Sequence, residues 1–215
     1  YHHAETELVP EEHQTYDESY WEGRTVAPSA FLMYLGVDET IDELAHHSLF
    51  VHHDWVDHFE SIFDDPSWPE KPSYYVCYPS MSEDDLAPPG KDALFVLVPI
   101  ASDLRDTETL RSYYADKILA DMESRLDRSI RDHVTYRKMF SIKDFAEDYN
   151  AYKGTGLGLS QTLMQTALFR PNHQSDSLDN LYYTGQYTHP GIGVPMTLIS
   201  SDIVRHDRSE ERRVG

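Results

Sequence analysis

The segment from Leu181 to Val204, LYYTGQYTHPGIGVPMTLISSDIV, contains the residue types and spacings best suited to binding a ligand. Its aromatic and β-branched start, Leu181–Thr184, predicts a strand that Gly185 ends. A turn with little side-chain bulk follows, and Pro195 stands where proline is favoured, in the first turn of a helix predicted over 195–204. The free N–H groups at such a helix start, together with the positive end of its dipole, suit an anion or the electron-rich edge of a ring.

A second glycine-rich stretch, KGTGLG from Lys153 to Gly158, imitates a phosphate-binding loop. A dinucleotide-binding loop follows a strand and opens a helix within a βαβ unit. Here a helix is predicted before the stretch, and its third glycine comes too early for the GxGxxG pattern. Both departures disfavour a phosphate-binding site at residues 153–158.

Two histidine pairs, His46-His47 and His52-His53, raise the question of a metal site. They flank a predicted strand, in which neighbouring side chains face opposite ways. No HExxH pattern or second cysteine accompanies them, so the sequence favours structural or solvated histidines and no metal.

General bases cannot be chosen from the carboxylates. Glu83, Asp84 and Asp85 are candidates, but 38 acidic residues make any single assignment arbitrary, and no catalytic residue is assigned. With only 18 basic residues the formal net charge is −20, which disfavours binding to nucleic acid. This charge is typical either of an ordinary solvated acidic surface or of a protein adapted to high salt, and its spread along the chain favours the second.

The single cysteine, Cys77, allows no internal disulfide and is consistent with a reducing, cytoplasmic location. No apolar run approaches the roughly 20 residues that span a bilayer.

The elements that must position these residues mix strands and helices without strict alternation, which predicts an α+β fold with a largely antiparallel sheet. Alternating or continuous apolar runs predict strands, and four-residue apolar spacing or capping residues predict helices. The predicted strands are 29–37, 48–52, 74–78, 93–100 and 134–140, and the predicted helices are 55–63, 107–130 and 141–150.

At NLYYTGQYTHPGIGVP, residues 180–195, the chain closely resembles the flavin-binding signature of the phytoene desaturase family, the FAD-dependent carotenoid desaturases. Further blocks resemble that family in the same order, so that the resemblance covers roughly residues 20–207. They are APSAFLMYLGV, ELAHHSLFV, YPSMSEDDLAPPGKDALFVLVPI, VTYRKMFSIKDFAEDYNAYKG and QTALFRPNHQSDSLDNLYYTG.

The resemblance implies FAD as cofactor, a long apolar polyene such as phytoene as substrate, and peripheral contact with a membrane, although no basic amphipathic patch supports that contact. His189 could contact the flavin or hold the turn together. Gln186 stands where many related flavoproteins carry an aspartate, which leaves that contact open. The positions matching the flavin-contacting turn are Gly185, Gln186, Thr188, His189, Pro190, Gly191, Gly193, Val194 and Pro195.

The same resemblance divides the chain into a partial substrate domain, 1–177, and a flavin-contacting segment, 178–207, that returns to a Rossmann-type domain. The GxGxxG unit of that domain is not in the sequence, so we expect a C-terminal fragment that is inactive alone. Residues 208–215 read like a translated sequencing adapter and are interpreted as a non-native tail. The alternative function is a non-catalytic module that binds a carotenoid or lipid.

Overall fold

The computed structural model describes residues 1–214, without the side chains of Asp84, Leu168 and residues 210–214. The chain forms two compact units, one comprising Ser29–Phe145 and the other Tyr1–Pro28 together with the residues from Ala146 onward. The helices and strands are α1 (Glu18–Glu22), β1 (Ser29–Val37), β2 (His47–Phe50), α2 (Trp55–Phe63), β3 (Tyr74–Cys77), β4 (Asp92–Ile100), α3 (Glu108–Leu126), β5 (Val134–Phe140), α4 (Ile142–Tyr149) and α5 (Val194–Val214).

The unit formed by Ser29–Phe145 is built on a five-stranded sheet in the order β2-β3-β4-β1-β5. Every pair of neighbouring strands is antiparallel, which confirms the predicted α+β fold. The predicted bounds of β1, α2 and β5 are those observed, whereas the strand expected over 48–52 lies at His47–Phe50.

One face of the sheet is closed by α3. Val96 and Val98 of β4 are fully buried, as are Ile118 and Met122 of α3, all in one apolar cluster. The four-residue apolar spacing predicted for this helix therefore forms the core. The helix ends at Leu126, before the predicted residue 130, because Asp127 adopts a left-handed conformation with φ of 52°.

The second unit is centred on the buried Trp21, whose neighbours are mostly tyrosines. Glu5 is also fully buried, and its carboxylate accepts hydrogen bonds from the backbone N–H groups of Thr15 and Tyr16 and from the Tyr183 hydroxyl. The N-terminal segment is therefore fixed by a buried carboxylate whose oxygens are hydrogen bonded.

Helix α5 extends well past the predicted 195–204 and continues through residues 208–214, the segment interpreted as a non-native tail. The last residue of that tail, Gly215, lies outside the described residues. Within residues 1–214, no helix is both long enough and apolar enough to cross a membrane.

His58 attaches α2 to the sheet and gives the first testable prediction. Its Nδ1 accepts from Ser73 N at 2.9 Å and its Nε2 contacts Pro99 O at 2.8 Å, an arrangement that suits only the neutral ring. Burial lowers the pKa of His58 from its ordinary 6.5. The unfolded chain therefore binds a proton that the folded chain resists, and the unfolding free energy falls as the pH drops below about 6.5.

We expect this single group to contribute a slope of at most about 1.4 kcal/mol per pH unit. Urea unfolding followed by circular dichroism between about pH 8 and pH 5 measures it, with the range centred on the ordinary histidine pKa. His58→Gln should be less stable at neutral pH and should lose this part of the slope. His53→Gln is the control because the His53 side chain is fully exposed. Equal slopes in the His58→Gln variant and the unsubstituted chain would contradict the assignment.

Candidate functional site

The chain enters the glycine-rich turn from a single β-bridge, not from a strand. Gln174 and Tyr182 form that bridge, and Tyr183 N donates to His173 O at 2.6 Å. The predicted strand over Leu181–Thr184 is therefore wrong. The sequence has strand-forming residues there, but pairing ends at Gly185, whose φ of 115° turns the chain away.

Gly191 shows why this turn needs glycine. Its φ is 120°, a conformation that residues with a side chain rarely adopt, and it is buried. A Cβ atom built there would lie 2.8 Å from Gln161 Nε2. Gly193 has a similar φ of 118°, but a Cβ there would meet nothing closer than 3.9 Å. The turn is thus closely packed at Gly191 and open at Gly193.

The buried side chain of Arg170 holds the turn from inside. It is 4 % exposed, and its guanidinium donates to Gln186 O at 2.5 Å and to Thr188 O at 3.1 Å, both in the turn. It also donates to the carbonyl oxygens of Leu159 and Gln165. No carboxylate forms an ion pair with it among the described side chains, and burial lowers its pKa. Arg170 is therefore a positioning residue that binds backbone carbonyls.

Helix α5 is attached to the same turn through Ser200. Its fully buried hydroxyl accepts from Gly185 N at 3.0 Å and contacts Thr188 Oγ1 at 2.8 Å. Thr188, also fully buried, donates from that oxygen to Gly185 O. The beginning of the turn, at Gly185 and Thr188, and helix α5 are thereby fixed to one another by hydroxyl groups.

The beginning of α5 is exposed and rich in free donors. Pro195 is its second residue, as predicted, and Thr197 N already donates to Gly193 O. The first N–H groups of a helix have no intrahelical acceptor, which leaves those of Val194 and Met196 available because proline has none. Gly193, Val194 and Pro195 are exposed, and Val194 is 77 % exposed.

The remaining predicted positions lie on the rim of this turn. Gln186 is half-buried, and its backbone oxygen is bound by Arg170. The His189–Pro190 peptide bond is cis. His189 is exposed, so its ring does not serve to pack the turn from inside. All nine predicted flavin-contacting residues therefore lie in one turn, with the side of Gly193 and Val194 open.

A second candidate surface is the face of the sheet opposite α3. Several residues whose side chains lie on this face, alternating along the strands with the buried core residues, are apolar or aromatic. The rings of Tyr34 and Phe95, for example, are 5.3 Å apart. Leu97 and Tyr75 are directly paired on the neighbouring strands β4 and β3. These four side chains are half-buried or exposed and form an apolar patch on this face, with Lys138 of β5 beside Tyr34 at its border.

The acidic residues at 83–85 and the second histidine pair, His52-His53, were also candidates from the sequence. Glu83 and Asp85 are exposed, and the side chain of Asp84 lies outside the described residues. His52 contacts Asp121 at 3.4 Å while His53 is solvated.

The expectation that His46 and His47 face opposite ways is wrong. Their rings lie 4.3 Å apart, because His46 precedes the first residue of β2 and does not follow the strand alternation.

Sequence reasoning missed Arg170 and Ser200. The signal for Arg170 was available, since it is the sole charged residue between Lys153 and Asp176 in a chain with 26 % charged residues. A lone arginine in an uncharged stretch is a candidate for burial. Ser200 gave no signal beyond its small size.

Comparison with known proteins adds independent information, although no family model matches the chain. The chain is 52 % identical over 202 residues to a carotenoid 3,4-desaturase of Haloarcula japonica, covering 94 % of this chain and 41 % of that protein. It is 35 % identical to a zeta-carotene-forming phytoene desaturase of Myxococcus xanthus, over 82 % of this chain and 34 % of that protein. It is 33 % identical to a 4,4'-diapophytoene desaturase of a Methylomonas species, over 99 % of this chain and 42 % of that protein. The chain thus spans about two fifths or less of these curated relatives.

The role of Arg170 gives the second testable prediction. In Arg170→Lys a single ammonium replaces the planar fork and cannot reach four carbonyls, so several buried oxygens lose a partner. We expect a loss of about 3 kcal/mol in local stability, since each unpaired buried group costs roughly 1–3 kcal/mol. Hydrogen exchange of the Gly185 and Thr188 amides measures it.

The control is Arg205→Lys, because Arg205 is exposed and its partners among the described side chains, Asp202 and His206, both lie on α5. Unchanged protection of the two turn amides in Arg170→Lys would show that the turn does not depend on the guanidinium.

Proposed function

Because this chain belongs to the family of carotenoid and phytoene desaturases, we propose that it forms the C-terminal part of an FAD-dependent enzyme that desaturates phytoene or a related carotenoid. The observation that carries the proposal is the turn from Gly185 to Pro195, fixed by Arg170 and open at the start of α5. The net charge of the chain, −20, and its similarity to a protein of Haloarcula japonica support the proposal that the protein is adapted to high salt.

The residues of the turn fit the edge of a flavin ring. Gly193 leaves space for a planar group to approach the backbone, since nothing lies within 3.9 Å of the position where its Cβ would be. The donors offered there are backbone N–H groups, which pair with ring carbonyls and nitrogens. FAD, when bound, accepts the electrons that leave the polyene as each double bond forms.

The protein groups act by orientation and electrostatics. The Val194 and Met196 N–H groups and the positive end of the α5 dipole stabilise negative charge that develops at the ring edge. Arg170 and Ser200 keep these donors in place through Gln186, Thr188 and Gly185. Residues 178–207 are thus the proposed flavin-contacting segment, completed by a Rossmann-type domain.

The proposed substrate surface is the outer face of the sheet, with Tyr34, Phe95, Leu97 and Tyr75. A polyene has no polar group that could be recognised, so apolar contact area and shape must hold it. A face of this kind, within the proposed substrate domain 1–177, suits a long rod-like hydrocarbon.

Peripheral membrane contact is the third element of the proposal, supported by an aromatic ridge on α2. Trp55, Phe59 and Phe63 follow one another at four-residue spacing, are each about half exposed, and contact each other in sequence. Aromatic side chains of this kind are favoured at the membrane–water interface. The polyene dissolves in the bilayer, so an enzyme that touches the membrane can take it from there.

The flavin proposal is tested in a chimera in which residues 20–207 replace the aligned segment of the Haloarcula japonica relative. Val194→Pro removes one free N–H at a helix start where proline is tolerated, so the fold should persist. We expect FAD affinity to fall about fivefold, as loss of one hydrogen bond worth about 1 kcal/mol implies. Fluorescence titration of FAD and chromatography of the carotenoid products measure binding and turnover.

Val194→Ala is the matched control, because it keeps the N–H and removes only side-chain atoms. Equal FAD affinity in the two variants would refute the role of the turn. A chimera that binds the polyene, does not bind FAD and forms no desaturated product would favour the non-catalytic binding module. The 215-residue chain by itself should retain no FAD tightly.

The membrane proposal predicts that the double variant Trp55→Ser, Phe59→Ser binds vesicles at least about tenfold more weakly. Full burial of an aromatic side chain contributes roughly 1.5–3 kcal/mol, and about half of each of these two side chains is exposed and would become buried. Flotation with zwitterionic vesicles at about 1 M KCl, where charge repulsion is screened beyond ~3 Å, measures it. Leu163→Ser is the control, because Leu163 is 84 % exposed in the other unit. Equal flotation of all three proteins would contradict a role for the ridge.

A further inference from the structure

Three side chains with metal-binding atoms meet at the edge of the sheet. One ring nitrogen each from His46 and His47 and the Cys77 sulfur all lie within 4.8 Å of one another. None of the three is part of the turn, but His47 and Cys77 lie on the same face of the sheet as Tyr75, whose hydroxyl contacts His47. This combination of two imidazoles and one thiol is the donor set that zinc and similar transition metals prefer.

The strand pairing explains why these residues converge. His47 and Cys77 are direct partners on the antiparallel strands β2 and β3. Tyr78 N donates to His46 O at 2.8 Å, so the next pair, His47 and Cys77, occupies the site in the ladder where side chains approach most closely. His46 lies just before β2, which lets its ring lie beside that of His47.

Each histidine ring is already oriented by a hydroxyl group. Nδ1 of His46 contacts Ser82 Oγ, and Nδ1 of His47 contacts Tyr75 Oη, both at 2.6 Å. Metal-binding histidines keep one ring nitrogen on such a partner, which fixes the ring. Tyr75 also hydrogen bonds to Cys77, so one phenol contacts two of the three residues.

The spacing is close to that of a filled site. Zn–N bonds of about 2.0–2.1 Å and a Zn–S bond of about 2.3 Å in tetrahedral geometry place the ligand atoms roughly 3.3–3.6 Å apart. Side-chain movements of about 1.5 Å or less would therefore close the triad. His46 and Cys77 are half-buried and His47 is exposed, which leaves room for a water molecule.

We propose that His46, His47 and Cys77 bind one Zn²⁺ ion, with water as the fourth ligand. Binding displaces the thiol proton of Cys77 to solvent and joins the edge strand β2 to β3. The ion has no part in the redox chemistry proposed above. It would lie beside Tyr75 of the proposed substrate surface, and its test needs neither flavin nor polyene.

The experiment is a Zn²⁺ titration of the 215-residue chain with a chromophoric competitor, in excess Mg²⁺ to occupy the acidic surface. One equivalent should bind, and Co²⁺ in its place should give a thiolate charge-transfer absorption band. Zn²⁺ should also slow alkylation of Cys77 and raise the thermal midpoint. Affinity should fall as the pH is lowered, because protons compete for the thiolate and both imidazoles.

Cys77→Ser and His47→Gln should each weaken Zn²⁺ binding at least tenfold, while His53→Gln, which alters a solvated histidine, should not. Circular dichroism verifies that the variants fold. Absence of tight binding to the unsubstituted chain would overturn the proposal. So would binding that is unchanged in Cys77→Ser, because that result would assign the ion to surface carboxylates.

Discussion

The buried guanidinium of Arg170 is the constraint on which the turn from Gly185 to Pro195, the proposed flavin contact, depends. A cation taken out of water without a carboxylate partner is stable only if polar groups surround it. Here four carbonyl oxygens do so, and two of them belong to the turn. Burial of the guanidinium therefore constrains the geometry of the turn, because the carbonyl oxygens must stay in the positions to which its planar N–H groups point.

Ser200 adds a second attachment of a different kind. It is neutral, and it connects α5 to the beginning of the turn through Gly185 and Thr188. Arg170 and Ser200 both hold Thr188, and Ser200 belongs to α5. The backbone between Thr188 and α5 is therefore held at both of its ends, and Gly193 and Val194 can be exposed without loss of order. An open donor site on a rigid support is what a preorganised cofactor contact requires.

Sequence reasoning succeeded where local patterns determine structure and failed where distant partners do. The bounds of β1, α2 and β5 follow from apolar periodicity, and the glycines and Pro195 identify the turn and the start of α5. The strand predicted at Leu181–Thr184 failed because a strand needs a ladder of paired residues, and the described residues there form a single bridge, Gln174–Tyr182. His46 and Cys77 are far apart in sequence, so their proximity depends on the register of β2 and β3.

The aromatic ridge on α2 and the charge of −20 together determine how copies of this chain behave in concentrated solution. In dilute salt, repulsion between acidic surfaces keeps exposed rings on separate molecules apart. In concentrated salt that repulsion acts over only about 3 Å, while salts excluded from the surface strengthen apolar association. Colloidal stability in concentrated salt then favours a covered ridge, and the proposed lipid surface would keep the protein dispersed as well as supply its substrate.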